Sequence, residues 1–147
     1  MSPPKLYLIG SLRSNTVRAF ANELRELGFD VFDDWHAAGP DADDIWRDYE
    51  KQRGRSYLEA LDGYHAKHVF ALDYKHLSES EVAVLALPCG KSGHLEFGWH
   101  LGHNKRGYIL LDNPERWDVM YQFATGVFVD KEELFKELLQ PGQMRVK

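Results

Sequence analysis

A single cysteine, Cys89, stands in this chain of 147 residues. One thiol excludes an intrachain disulfide and any multi-cysteine zinc site, and it fits a reducing compartment. Long apolar runs are missing too: none approaches the roughly 18 residues that a membrane helix needs. The N-terminus, MSPPKLYLIG, has no basic region ahead of its short apolar stretch, so no secretory leader is expected. Basic excess is lacking as well, with 18 Lys and Arg against 23 Asp and Glu and a formal net charge of -5. A protein that coats a nucleic-acid polymer or a membrane surface needs the opposite balance to neutralise phosphates. There are no internal repeats and no low-complexity segments. The expectation is a soluble, cytoplasmic protein that handles small molecules.

What is present is material for a core: 44% hydrophobic residues, 13% of all residues being aromatic. At this length one domain, residues 1–147, is expected. Lys5 to Ile9 reads as a short buried strand. A helix follows from about Ser14 to Leu27, with Val17, Phe20, Ala21, Leu24 and Leu27 at helical spacing and Gly28 ending it. Phe29 to Asp33 resembles a second strand. The acidic, aromatic stretch Asp34 to Asp48 reads as a long irregular loop, a lid or a partner surface. Tyr49 to Lys67 reads as largely helical despite Gly54 and Gly63, and His68 to Leu72 as a third strand ending at Asp73. Val82 to Leu87 is a continuous aliphatic run closed by Pro88, the pattern of a strand buried on both faces of a parallel sheet. A helix starting near Ser92 and a strand from Gly107 to Leu111 come next. Trp117 to Phe128 reads as packing or a subunit interface, and Leu134, Leu138 and Leu139 mark a packing helix. The alternation predicts a doubly wound, flavodoxin-like five-stranded parallel sheet with helices on both faces.

In such sheets ligands bind outside the carboxyl ends of the strands. Glu96 falls in the first turn or two of the helix after the Val82 strand, and Asp73 falls just after the expected third strand. Cleaving a glycosidic bond through an oxocarbenium-like transition state needs one carboxylate at the anomeric carbon and another group to protonate the leaving atom. An Asp and a Glu can divide those roles if their environments separate their pKa values. The turn Gly10 to Asn15 offers backbone N–H groups, two serine hydroxyls and Arg13 at a helix N-terminus, a setting suited to phosphate. A nucleotide would satisfy both features. Glu96, His100 and His103 also share one helix face at i, i+4 and i+7, so a metal site is the competing reading of that helix.

These residues resemble the nucleoside 2-deoxyribosyltransferases and their relatives, the nucleoside 5'-monophosphate N-glycosidases. LYLIGSLR is similar to the first strand and loop of that family, where a tyrosine lines the site and a G-S-hydrophobic-R segment of the hydrolases holds the 5'-phosphate. LDYKHLSESEVAVLAL places Asp73 where the family has an aspartate that handles the leaving base. GKSGHLEFGWHLGHNKRGYILL resembles the small-residue turn, E-x-G helix and following strand, with Glu96 at the nucleophile and Gly98 two residues on. The resemblance spans most of the chain. It implies catalysis by Glu96, Asp73 and Tyr7, substrate binding by Gly10, Ser11, Arg13, Gly90, Ser92 and Gly93, no metal or other cofactor, and a homo-oligomer, dimeric or larger. Three features depart from the pattern. Many transferases carry an aspartate six residues before the nucleophile, where this chain has Gly90. The turn is about one residue shorter, and the insert Asp34 to Asp48 matches neither branch. The balance tilts toward hydrolysis of a nucleoside 5'-monophosphate over base exchange. A non-catalytic nucleotide-binding sensor is the alternative outside enzymology.

Overall fold

The computed structural model describes residues 2–113 and 115–141. Five parallel strands, β1 (Lys5–Ile9), β2 (Asp30–Phe32), β3 (Val82–Ala86), β4 (Arg106–Leu110) and β5 (Gly126–Phe128), form one sheet in the order β2-β1-β3-β4-β5. Among the described residues there are six α-helices: α1 (Val17–Glu26), α2 (Ala42–Gln52), α3 (Tyr57–Leu61), α4 (Tyr64–Glu79), α5 (Lys91–Gly102) and α6 (Lys131–Leu139), of which α1, α4, α5 and α6 pack on the sheet. This is the flavodoxin-like α/β arrangement, whose chain reverses direction across the sheet between β1 and β3.

The strands are apolar at successive positions because both faces are covered. In β1, Leu6 and Leu8 join Val82, Val84 and Tyr108 on the face packed by α1 and α6. Tyr7 and Ile9 join Ala83, Leu85 and Ile109 on the other face, with Leu77 of α4 and Phe97 of α5. The strand period of two thus points Tyr7 toward α4 and α5. α1 buries Val17, Phe20, Ala21 and Leu24 on one stripe. It ends in a Schellman motif: Gly28, at φ 106°, donates to the Arg25 carbonyl and Phe29 to that of Leu24.

Between β2 and β3 the chain departs most from the sequence expectation. His68 to Leu72 is not a strand but part of the 16-residue helix α4, so Asp73 sits on a helix and not at a strand end. No Gly or Pro interrupts Tyr64 to Glu79, and β1 already has β2 and β3 as its two neighbours, so a strand there would have had no place beside it. Residues 34–48 are not irregular either. A 3-10 turn, Asp34–Ala38, leads into α2, where Asp43 and Asp44 lie in the first turn and suit the helix dipole. Glu50, buried at the end of α2, is held by Arg53 at 3.3 Å and Arg55 at 3.1 Å. A Ser56/Glu59 capping box then starts α3. The count of five strands stands because β5, inside the aromatic stretch read as packing, takes the missing place; at three residues it is too short for a pattern of alternation to register.

Among the described residues, no helix is long and apolar enough to cross a membrane.

Candidate active site

Tyr7 is buried on β1, and its hydroxyl donates to Glu96 Oε2 at 2.6 Å. Glu96 reaches it from the second turn of α5, which begins at Lys91, one residue before the expected start. The approach of α5 to β1 depends on Gly93: a Cβ there would collide with the Cys89 thiol and lie 2.7 Å from Ile9 Cγ2. Asp73 faces the same place from α4, half-buried. Its charge acts on both Glu96 and Tyr7.

Burial sets the protonation of this group. It pushes the Glu96 carboxyl up to about 7; the Tyr7 hydrogen bond partly opposes this, and the Asp73 charge adds to it. Burial alone raises Asp73 to about 6. The Tyr7 phenol is driven far above its ordinary value by burial and then by the two carboxylates, so it remains a hydrogen-bond donor. Two carboxyl groups that titrate near neutrality, beside a fixed donor, can exchange one proton between them and a substrate. Cys89 lies within electrostatic reach of Glu96, but burial raises its thiol to about 11, so it is not a thiolate at neutral pH.

The other residues singled out from sequence occupy the ends of β1 and β3. Gly10 packs against Val17 and Trp35. Ser11 Oγ accepts from the Arg13 amide at 3.1 Å, and the Ser11 carbonyl accepts from the Ser14 amide at 3.1 Å, which folds the loop on itself. The Arg13 guanidinium pairs with Asp44 of α2 at 3.2 Å on the surface. Gly90 caps the start of α5 with Ser92 exposed beside it. Tyr7, Glu96 and Asp73 therefore form one group, joined by a hydrogen bond and by electrostatic reach, whereas Ser11 and Arg13 belong to the loop after β1.

Trp35 lies in the stretch that the sequence offers as a lid, and its indole is instead used to brace β1. β2 stops at Phe32, level with Tyr7, and the Trp35 indole then donates to the Leu8 carbonyl at 2.8 Å, satisfying β1 beyond the edge of its short partner. Nothing in local spacing signals this. The metal reading of α5 meets a geometric obstacle. His100 is fully buried with Nε2 at 2.8 Å from the Arg106 carbonyl, to which it must donate, and His103 Nδ1 lies 2.7 Å from the Trp99 carbonyl. No group of three His, Cys, Asp or Glu among the described residues could hold a metal ion.

The class defined by these observations is a flavodoxin-like α/β protein in which Tyr7 of β1 holds Glu96 of α5 within reach of the Asp73 charge. No protein-family model matches the chain, and no curated protein matches it. Solved structures do. A conserved protein from Enterococcus faecalis V583 superimposes with a TM-score of 0.62 at 15% identity, over 95% of this chain and 99% of that one. The CMP N-glycosidase BcmB of Clostridium botulinum superimposes with a TM-score of 0.51 at 14% identity, over 91% of this chain and 97% of its own. At such identities the likeness is one of fold.

Proposed function

We propose that this protein cleaves the N-glycosidic bond of a nucleoside or nucleoside 5'-monophosphate, with Glu96 as nucleophile. The observation that carries the reading is the part-buried Tyr7–Glu96 hydrogen bond at 2.6 Å, within reach of the Asp73 charge. The fold likeness to a CMP N-glycosidase supports it. A Glu96 carboxylate oxygen attacks C1' of the sugar, the C1'–N bond breaks, and its electron pair leaves with the base, which Asp73 protonates. Asp73 then takes a proton from water, whose oxygen displaces Glu96 from C1' and frees the sugar. Tyr7 holds Glu96 in line through its hydrogen bond. Arg13, Ser11 and Ser92, with the backbone of Gly10, Gly90 and Gly93, anchor the 5'-phosphate; Arg13 exchanges Asp44 for it. No step calls for a metal.

Base exchange is the second reading, in which a free base replaces water; Gly90, in place of an acidic residue, weighs against it. A homo-oligomer is part of the proposal. α4 exposes Tyr64 (95%) and Phe70 (67%), α5 exposes Leu95 (76%), and a Cβ on Gly98 or Gly102 of α5 would meet nothing within 4 Å, so a second copy can approach α5 closely.

The test is chromatographic. Purified protein and Glu96→Ala are incubated with ribo- and deoxyribonucleosides and their 5'-monophosphates, with and without an acceptor base. Release of free base from monophosphates, lowered about 10³-fold or more by Glu96→Ala, is expected. A new nucleoside formed only with acceptor present would establish exchange instead. Intact substrates under every condition would overturn both and leave a nucleotide-binding module.

A further inference from the structure

Helix α2 has a side that packing within the chain does not use. It packs on α3, with Glu50 buried and Trp46 half-buried, the Trp46 ring meeting Tyr57 edge-on at 6.3 Å. On its outer side lie Ile45, 66% exposed, and Tyr49, 55% exposed, four residues apart. The same step taken once more in each direction reaches Asp41 and Arg53, so Asp41, Ile45, Tyr49 and Arg53 form one i, i+4 ridge along the helix surface.

The two ends of the ridge are charged and exposed. Asp41, the N-cap, makes no side-chain cap bond, so its carboxylate faces outward. Arg53, the C-cap, lies over the Tyr49 ring at 5.3 Å, beside the apolar pair. It also holds Glu50 Oε1 at 3.3 Å, but Arg55 holds that oxygen at 3.1 Å, so turning Arg53 outward leaves Glu50 paired. The charges flanking the ridge offset one another: Arg47 pairs with Asp48 at 2.9 Å and with Asp44 at 3.4 Å.

A ridge that is acidic at one end, basic at the other and apolar between is its own complement. A two-fold axis midway between Ile45 and Tyr49 lays Ile45 of each copy on the partner's Tyr49 and brings Asp41 of each to the partner's Arg53. Interdigitated i±4 ridges are the commonest packing of two helices, and the antiparallel sense sets each positive N-terminus beside a negative C-terminus. A parallel pairing would oppose like charges at both ends. We propose that α2 is an isologous contact through which two copies of this chain associate. Such a contact offers less than the roughly 800 Å² per partner of a standard interface, so its Kd is on the order of 100 µM. It is separate from the α5 face, and it stands whether or not Glu96 is a nucleophile.

Sedimentation equilibrium of the full chain tests it. The mass at about 1 µM reports what α5 holds together, and a doubling of that mass by about 1 mM reports α2. Asp41→Lys and Arg53→Glu each oppose like charges at both ends and should weaken the doubling at least about tenfold. Mixed in equal amounts, the two variants should associate again, because both ends of the mixed pair then join opposite charges. Positions 41 and 53 lie about 18 Å apart along one helix, so that recovery cannot arise within a chain. Ile45→Glu should also weaken the doubling about tenfold, and it reads the contact without touching Glu50. Circular dichroism checks the fold of each variant; if Arg53→Glu does not fold, Asp41→Lys and Ile45→Glu decide. A parent that does not double, a doubling indifferent to Asp41→Lys or Ile45→Glu, or a mixture of folded variants that fails to recover would each overturn the proposal.

Discussion

Tyr7, Glu96 and Asp73 form a unit whose behaviour is set by burial. Burial raises Glu96 to about 7 and Asp73 to about 6, and the two interact. A single proton shared by the pair therefore rests mainly on Glu96, and the reactive form, with Glu96 ionised and Asp73 protonated, is the minor arrangement of the singly protonated pair. The rate of base release, as kcat/KM, should follow a bell with its maximum near about pH 6.5. Tyr7→Phe removes the one influence that lowers the Glu96 pKa, so the ionisation of Glu96 should move upward, read from the pH–rate profile or a carboxylate NMR titration. An unmoved profile would mean that the hydrogen bond does not tune the carboxylate. Stability carries the same signature with a definite sign. A carboxyl raised in the folded state stays protonated where the unfolded chain has lost its proton, so stability falls as pH rises from about 4.5 to about 7. Glu96→Gln abolishes that loss and should stabilise the protein by on the order of 1 kcal/mol at pH 8, with the gain vanishing below about pH 4, by chemical denaturation at both pH values.

Among the elements, α5 has the tightest tolerance. Gly93→Ala would force a Cβ against Cys89 and to 2.7 Å from Ile9, so α5 must lift from β1 and carry Glu96 away from Tyr7. A cost of about 1–3 kcal/mol and a loss of base release are expected from thermal melts and assay. Gly90→Ala is the matched control, since its Cβ would meet nothing within 4 Å, and its melting temperature should stay near that of the parent. The β1 strand, the α1 stripe with its Gly28 terminus and the Val82–Ala86 strand were legible because local periodicity and punctuation agree with their tertiary settings. α4 was not legible as one helix. Its HVFAL segment is as apolar as a buried strand, yet Val69, Phe70 and Leu72 are exposed on the described chain.

At the scale of the whole molecule, that exposed face predicts assembly. Phe70→Asp combined with Leu95→Asp should convert a homo-oligomer into monomers in sedimentation or light scattering while leaving the circular dichroism spectrum unchanged. A monomeric parent would remove the oligomer from the proposal.

Taken by itself, the sequence determined the α/β alternation, the strand that delivers Tyr7, the turn and helix that deliver Glu96, and the absence of a basic or disulfide-bonded character. Each follows from local composition and spacing. Tertiary structure decided the rest. It put Asp73 beside Glu96 from a helix and not from a strand end, because apolar content cannot distinguish a buried strand from a helix whose outer face is uncovered. It engaged Arg13 with Asp44, replaced the expected loop with α2, and brought Trp35 to the Leu8 carbonyl. It also raised both carboxyl groups toward neutrality, since desolvation depends on what packs around a side chain in space and not on its neighbours along the chain.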